Sequence, residues 1–463
     1  MTKIEEIFYT NIKSPKLDCS NVPVQLTDDT INERYAKVIS RMQENNYDVL
    51  VIYADLEHGS NFEYLTGFLP RFEEALLVVH KNGNNYMIMG NENLNKVPHS
   101  RIKAAAIHAP HFSLPNQPME TTLSFEEILR QAEITKNMKV GLVGWKNFTS
   151  KFEDNSKLFD VPSYIVDTIK KIVEDSDKVC NATYLFIGNK GVRCTNNVNE
   201  IEHYEFGASL ASDCMLKAMD HLNEGVTEME LGQILNTYGQ KNSVVTIAAS
   251  GPRFIKANIY PTNNTVKLGD TISLTVGYKG GLSSRSGYAV NNDSELPETI
   301  RDYLEKVVKP YYNATVNWLE KIHCGMSGNE IYELIETVLP KDQYNWGLCP
   351  GHLCADEEWL SSPIYKGSEE ILESGMILQL DIIPSVKGYG GTSAESTIAL
   401  ANEELKEKIA KEAPEIWKRI LDRKEYIQNT LNIKLNDDVL PLASTLGYLR
   451  PFLLEKNKAM VVK

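Results

Sequence analysis

Two rhythms of hydrophobic and polar positions run along the chain. Asp29–Asn45 sets Ile31, Tyr35, Val38, Ile39 and Met42 on one helical face and ends on Asn45-Asn46, which predicts a helix and a turn. Tyr47–Tyr53 follows as a strand and opens an α/β unit. Ala75–Val79 and Tyr86–Met89 read as a hairpin turned at Lys81-Asn82-Gly83, Ser124–Gln131 as a helix and Lys139–Trp145 as a strand. The polar run Glu174-Asp175-Ser176-Asp177-Lys178 marks a boundary, so residues 1–180 are expected to form one domain, with 1–28 an irregular arm, and residues 190–463 a second. From Asn199 a long helix turns Ile201, Phe206, Leu210, Cys214, Met215, Ala218 and Leu222 inward, with Gly225 expected at its C′ position. Thr227-Glu228-Met229-Glu230 has capping-box spacing for the next helix. Two more are expected within Pro297–Ile322 and Gly328–Val338, and one charged helix over Lys406–Leu431.

The second rhythm is strict alternation. In Met376–Ile383, Met376, Leu378, Leu380 and Ile382 point one way and Ile377, Gln379, Asp381 and Ile383 the other. Thr271–Val276 alternates likewise, and Thr397–Leu400, preceded by Glu395, makes a third piece. Joined in one antiparallel sheet, these strands gather Thr275, Asp381 and Glu395 on a polar face beside a loop carrying His352, a pocket floor. Helices over such a sheet make the second domain α+β.

Composition narrows the partners. At 463 residues, two domains are expected. Lys and Arg total 48 against 62 Asp and Glu, a net charge of −14, which argues against nucleic acid or an anionic membrane. No leader-like h-region and no apolar run of about 18 residues occurs, and seven scattered cysteines read as free thiols, so a cytoplasmic protein is expected. Cys349 and Cys354 flank His352, but nothing completes a zinc set.

The residues also carry a resemblance. Asn61–Phe68 resembles the N-x-x-Y-L-T-G-F segment of the creatinase-type N-terminal domain. The order Glu200-Ile201, Gly225–Glu228, Ser250-Gly251, Gly269-Asp270, Gly351-His352, Gly375-Met376 and Gly391…Glu395 resembles the pita-bread fold of the aminopeptidase P, prolidase and creatinase superfamily. The resemblance implies a C-terminal pita-bread domain after an α/β domain of creatinase type, and a homodimer. In the metallopeptidases of that superfamily two aspartates, a histidine and two glutamates hold two metal ions. Here the aspartate positions fall on Thr275 and Ser284, the histidine on His352, and the glutamates on Asp381 and Glu395. The two histidines that assist the substrate fall on Asn258 and Trp359, and Arg71 lies where creatinase's N-terminal domain supplies carboxylate-binding groups.

Losing two anionic ligands disfavours a two-metal centre. The expected function is metal-independent, creatinase-like hydrolysis of a C–N bond in a small cationic amino-acid-like molecule, with no cofactor. His352 would be the acid/base, Asp381 and Glu395 a clamp for the cation, and Thr275, Ser284, Asn258, Trp359 and Arg71 would position the substrate. Two alternatives stay open: a catalytically inactive pita-bread binding protein, and an Xaa-Pro aminopeptidase or dipeptidase using a single metal held by the triad. Plainer roles are a hydrogen bond from His352 to a loop carbonyl, lysine partners for the two carboxylates, and a surface position for Arg71.

Overall fold

In the computed structural model, which describes residues 1–252 and 260–463, contacts divide the chain into two units, Leu26–Cys194 and Met1–Gln25 with Thr195–Lys463. The first 25 residues thus go with the second unit. Ile7–Asn11 (β1) carries its own alternation, and it pairs antiparallel with the last strand of the chain, Ile7 opposite Val462. Farther along this arm Asp18 takes two bonds from the Arg423 guanidinium, and Asp213 accepts from the Asp18 and Cys19 amides.

Within Leu26–Cys194, α1 (Asp28–Glu44) starts on Thr27, whose hydroxyl accepts from Thr30 N, and buries Ile31, Val38 and Met42. The strands are β2 (Val49–Ala54), β3 (Ala75–His80), β4 (Asn85–Met89), β5 (Ala105–His108), β6 (Val140–Val143) and β7 (Val179–Asn181). They make one six-stranded sheet in the order β5-β4-β3-β2-β6-β7, with β2 parallel to β6 and antiparallel to β3. The α2 helix (Ser60–Thr66) ends on Gly67, and α3 (Phe125–Gln131) and α4 (Ser163–Val173) bury Ile128, Leu129, Ile165 and Ile169 against the sheet; α5 is one turn, Tyr184–Ile187.

In the other unit, α6 (Val198–His221) opens with a capping box between Asn197 and Glu200, and α7 (Glu228–Leu235) with one between Thr227 and Glu230. The α6 helix stops at a Leu222 cap, so Gly225 is not its C′ residue; it takes φ +85° farther on, where its amide bonds Val266 O. A seven-stranded sheet runs β11-β12-β13-β10-β9-β8, with β14 also on β13, every neighbour antiparallel. Its strands are β8 (Ile247–Ser250), β9 (Thr271–Tyr278), β10 (Gly281–Tyr288), β11 (His352–Leu353), β12 (Ile377–Leu380), β13 (Ser393–Leu400) and β14 (Val439–Pro441); β15 (Lys458–Val462) pairs with β1. The remaining helices are α8 (Lys309–Lys321), preceded by a π turn at Leu304–Val308, α9 (Gly328–Val338) and the single turn α10 (Lys341–Tyr344). The charged helix expected over Lys406–Leu431 is two, α11 (Glu403–Glu412) and α12 (Pro414–Asn429). Pro414 has no amide hydrogen to continue α11 and instead suits the first turn of α12.

Candidate functional site

Strand register builds the site. Thr275 on β9 stands opposite Ser284 on β10, and Ser284 opposite Glu395 on β13. On the far side of β13, Leu380 pairs with Ser396, and one further step of that register sets Asp381 across from Glu395. The row Thr275, Ser284, Glu395, Asp381 therefore crosses four strand lines on one face. His352 pairs with Gln379, two residues before Asp381 and so on the same face. The histidine sits on a short strand, not the expected loop, because Gly351 at φ +129° brings the chain within bonding distance of β12. A Cβ at Gly351 would lie 2.9 Å from Gln379 O.

This face is buried. His352, Asp381 and Glu395 keep 8% of their surface or less, and each offers a donor atom within 4.8 Å of the others. The hydroxyls of Thr275 and Ser284 bond each other at 2.9 Å. His352 Nδ1 lies 3.1 Å from Leu353 O, the plainer role expected for it, while Nε2 faces the carboxylates, 3.9 Å from Asp381 Oδ2. Trp359 stacks on the imidazole, with centroids 4.1 Å apart at 21°. Among the described residues neither Nε2 nor Asp381 Oδ1 has a hydrogen-bond partner. Among the described residues no lysine or arginine pairs with Asp381 or Glu395, so the carboxylates are not tied off by surface cations.

Electrostatics follow from that crowding. Burial, then the charges of Asp381 and Glu358, hold the Glu395 carboxyl well above its usual range. Burial also pushes Asp381 up to about 6, with the His352 charge opposing and that of Glu358 adding. Burial disfavours a charged His352, yet the Glu358 carboxylate beside it, and Asp381 after it, outweigh that cost and raise its pKa. The sheet face is short of positive charge, and a cation held there would stabilise both carboxylates as anions.

Arg71 belongs to the other unit, where it is exposed with its guanidinium over the Phe72 ring at 4.7 Å. Asn258 lies outside the described residues. Sequence reasoning missed three contributors. Glu358 sets Oε1 3.1 Å from His352 Nε2, and only its place beside Trp359 in an acidic run hinted at this. Gln379 joins the strands by accepting from Thr397 Oγ1 and donating to Leu282 O. Arg285, fully buried, places all five N–H groups on the carbonyls of Ser284, Glu395, Thr445 and Tyr448 and on Ser396 Oγ.

One donor set is complete and a second is not. Imidazole, Asp and Glu around one point fit a single oxygen- and nitrogen-liganded divalent cation; two neutral hydroxyls at Thr275 and Ser284 do not fit a second. Residues 202–414 match the family described as Metallopeptidase family M24. No curated protein matches the chain in sequence. Solved structures similar to it include a prolidase from Pyrococcus horikoshii OT3, 16% identical with TM-score 0.61 over 80% of this chain and 96% of that one. A dipeptidase PepE from Mycobacterium ulcerans is 13% identical with TM-score 0.63, covering 81% and 95%. An Xaa-Pro dipeptidase from Bacillus anthracis is 16% identical with TM-score 0.59, covering 81% and 96%. With the M24 match over residues 202–414 and its sheet of antiparallel strands, the chain has the pita-bread fold of the creatinase, aminopeptidase P and prolidase superfamily.

Proposed function

We propose that this chain is a prolidase-like hydrolase that cleaves a C–N bond in a small amino-acid-derived substrate, Xaa-Pro dipeptides being the first to test, with one divalent cation held by His352, Asp381 and Glu395. The observation that carries this reading is the convergence of those three buried groups within 4.8 Å, with Nε2 and Asp381 Oδ1 lacking hydrogen-bond partners among the described residues. The M24 match and the names of the similar structures support it. When bound, such a cation would supply Lewis-acid activation of water and of the scissile carbonyl. The chain's own groups do the rest. Asp381 and Glu395 supply negative charge in a site where burial strengthens it. The Leu353 carbonyl and the Trp359 indole hold the imidazole plane, and the Thr275 and Ser284 hydroxyls offer a neutral hydrogen-bonding shelf to the substrate. We place the protein in the cytoplasm as a homodimer, a state that light scattering on the purified chain would check.

One observation favours a second reading. The Glu358 contact with His352 Nε2 suits an imidazolium clasped by carboxylates, the arrangement of a metal-independent hydrolase whose substrate brings its own guanidinium or ammonium group. Elemental analysis of protein purified without added metal, with Xaa-Pro hydrolysis assayed before and after chelation, separates the two. Stoichiometric metal and chelator-sensitive hydrolysis, both lost in Asp381→Asn, support the one-cation hydrolase. A metal-free protein indifferent to chelator that turns over a cationic amino-acid derivative would replace it with the second reading.

A further inference from the structure

The carboxylate nearest the imidazole is one that the strands do not supply. Because Leu353 O can only accept, His352 Nδ1 carries the hydrogen of their contact, and in the neutral form of the ring Nε2 presents its lone pair to the site. Glu358 Oε1 lies 3.1 Å from that nitrogen without forming an aligned hydrogen bond, and Nε2 is fully buried with no hydrogen-bond partner among the described residues. A carboxylate oxygen and an imidazole nitrogen therefore stand side by side at the edge of the triad.

The loop that delivers Glu358 is anchored on both sides of it. Leu353 N bonds Ser361 O and Leu360 N bonds Leu353 O, closing a hairpin at its base. Gly280 N bonds Ala355 O, and Asp356 accepts from the Tyr204 hydroxyl at 3.0 Å and pairs with Lys279 Nζ at 3.3 Å. Trp359 is stacked on the imidazole itself. The Glu358 side chain keeps 21% of its surface open, against 5% for Asp381, so it stands at the solvent edge of the buried triad.

We propose that Glu358 is a fourth donor of the cation centre, a carboxylate brought in by the loop after β11 that makes up part of the charge missing at Thr275 and Ser284. The proposal rests on the one-cation reading above. It gives the centre one imidazole and three carboxylates, and it makes the Asp356–Trp359 loop part of the cation site.

The test is titration of the chelated full chain with Mn(II) by calorimetry, in wild type and in the Glu358→Gln, Glu357→Gln and Asp381→Asn variants, with Co(II) absorption as a second readout. Glu358→Gln is expected to weaken Mn(II) binding by about tenfold or more and to shift the visible band of the Co(II) form, while Glu357→Gln on the same loop leaves both within about twofold of wild type. Equal melting temperatures of the chelated wild type and Glu358→Gln show that the loss is not one of folding. Glu358→Gln binding as tightly as wild type, with Asp381→Asn impaired, overturns the role of Glu358 and leaves the triad standing. Equal weakening by Glu357→Gln overturns it too, because the effect would then belong to the loop's charge. A wild type that binds neither Mn(II) nor Co(II) overturns the one-cation reading and the fourth donor together.

Discussion

Single residues decide how many charges face the site. Ser284 and Arg285 are neighbours in sequence, yet alternation sends one to the site face and the other to the opposite side, where every N–H of the guanidinium is matched. Burial without a carboxylate partner lowers the Arg285 pKa to about 10, against the opposing influence of Tyr311, Glu395 and Tyr448. Ser284 stands opposite Glu395, so a carboxylate placed there crowds a third negative group into the row. In chelator, Ser284→Asp is expected to cost on the order of 3 kcal/mol of stability, read by denaturant unfolding. With Mn(II) it is expected to bind more metal than wild type, read by elemental analysis. A variant unchanged in both would place the cation away from this row. The triad was legible because His352, Asp381 and Glu395 hold their spacing after glycine-marked turns; Glu358 was not, because nothing local says which carboxylate of an acidic run points inward.

At the scale of elements, the site is as good as the turns that set the register. The β9–β10 hairpin turns at Lys279-Gly280, with Gly280 at φ +99°, and a Cβ there would lie 2.2 Å from Tyr204 O on α6. Gly280→Ala therefore combines backbone strain with a backbone clash, for an expected loss of about 2–4 kcal/mol in denaturant unfolding. Because Gly280 N also holds Ala355 O, the variant is expected to weaken Mn(II) binding as well; unchanged stability and affinity would mean that the hairpin does not carry the register. Helix starts were readable from capping boxes at Thr227 and Glu230, whose chemistry is local. The break at Pro414 was also written locally but was outweighed by the charge pattern that continues through it, whereas β1 was hidden because its partner strand lies at the far end of the chain.

For the whole molecule, buried carboxyls tie stability to pH and to the cation. Burial pushes Asp213, like Asp381, up to about 6, against the Asp18 and Cys19 amides that bond it. Both start from 3.8, so over that interval these two groups bind more protons in the native chain than in the unfolded one. Their stabilising contribution is present below about pH 4 and is lost as pH rises through about 6. In chelator, the advantage of Asp381→Asn over wild type is expected to grow between pH 4 and 7, read by melting temperature. Saturating Mn(II) is expected to reverse that order, with about 3 kcal/mol gained by wild type at a hundredfold excess over Kd. A wild type that follows the same pH curve as Asp381→Asn would show that this carboxyl is not strained. The sequence by itself determined most of the elements, the order of the glycine turns and the residue types left at the ligand positions, because periodicity, capping and turn chemistry act within a few residues. Only the tertiary structure decided that Thr275, Ser284, Glu395 and Asp381 share one row, that Arg285 lies behind it, that Glu358 reaches His352 and that the first strand closes on the last. Those facts depend on register and packing between segments far apart in the chain, which no local pattern encodes.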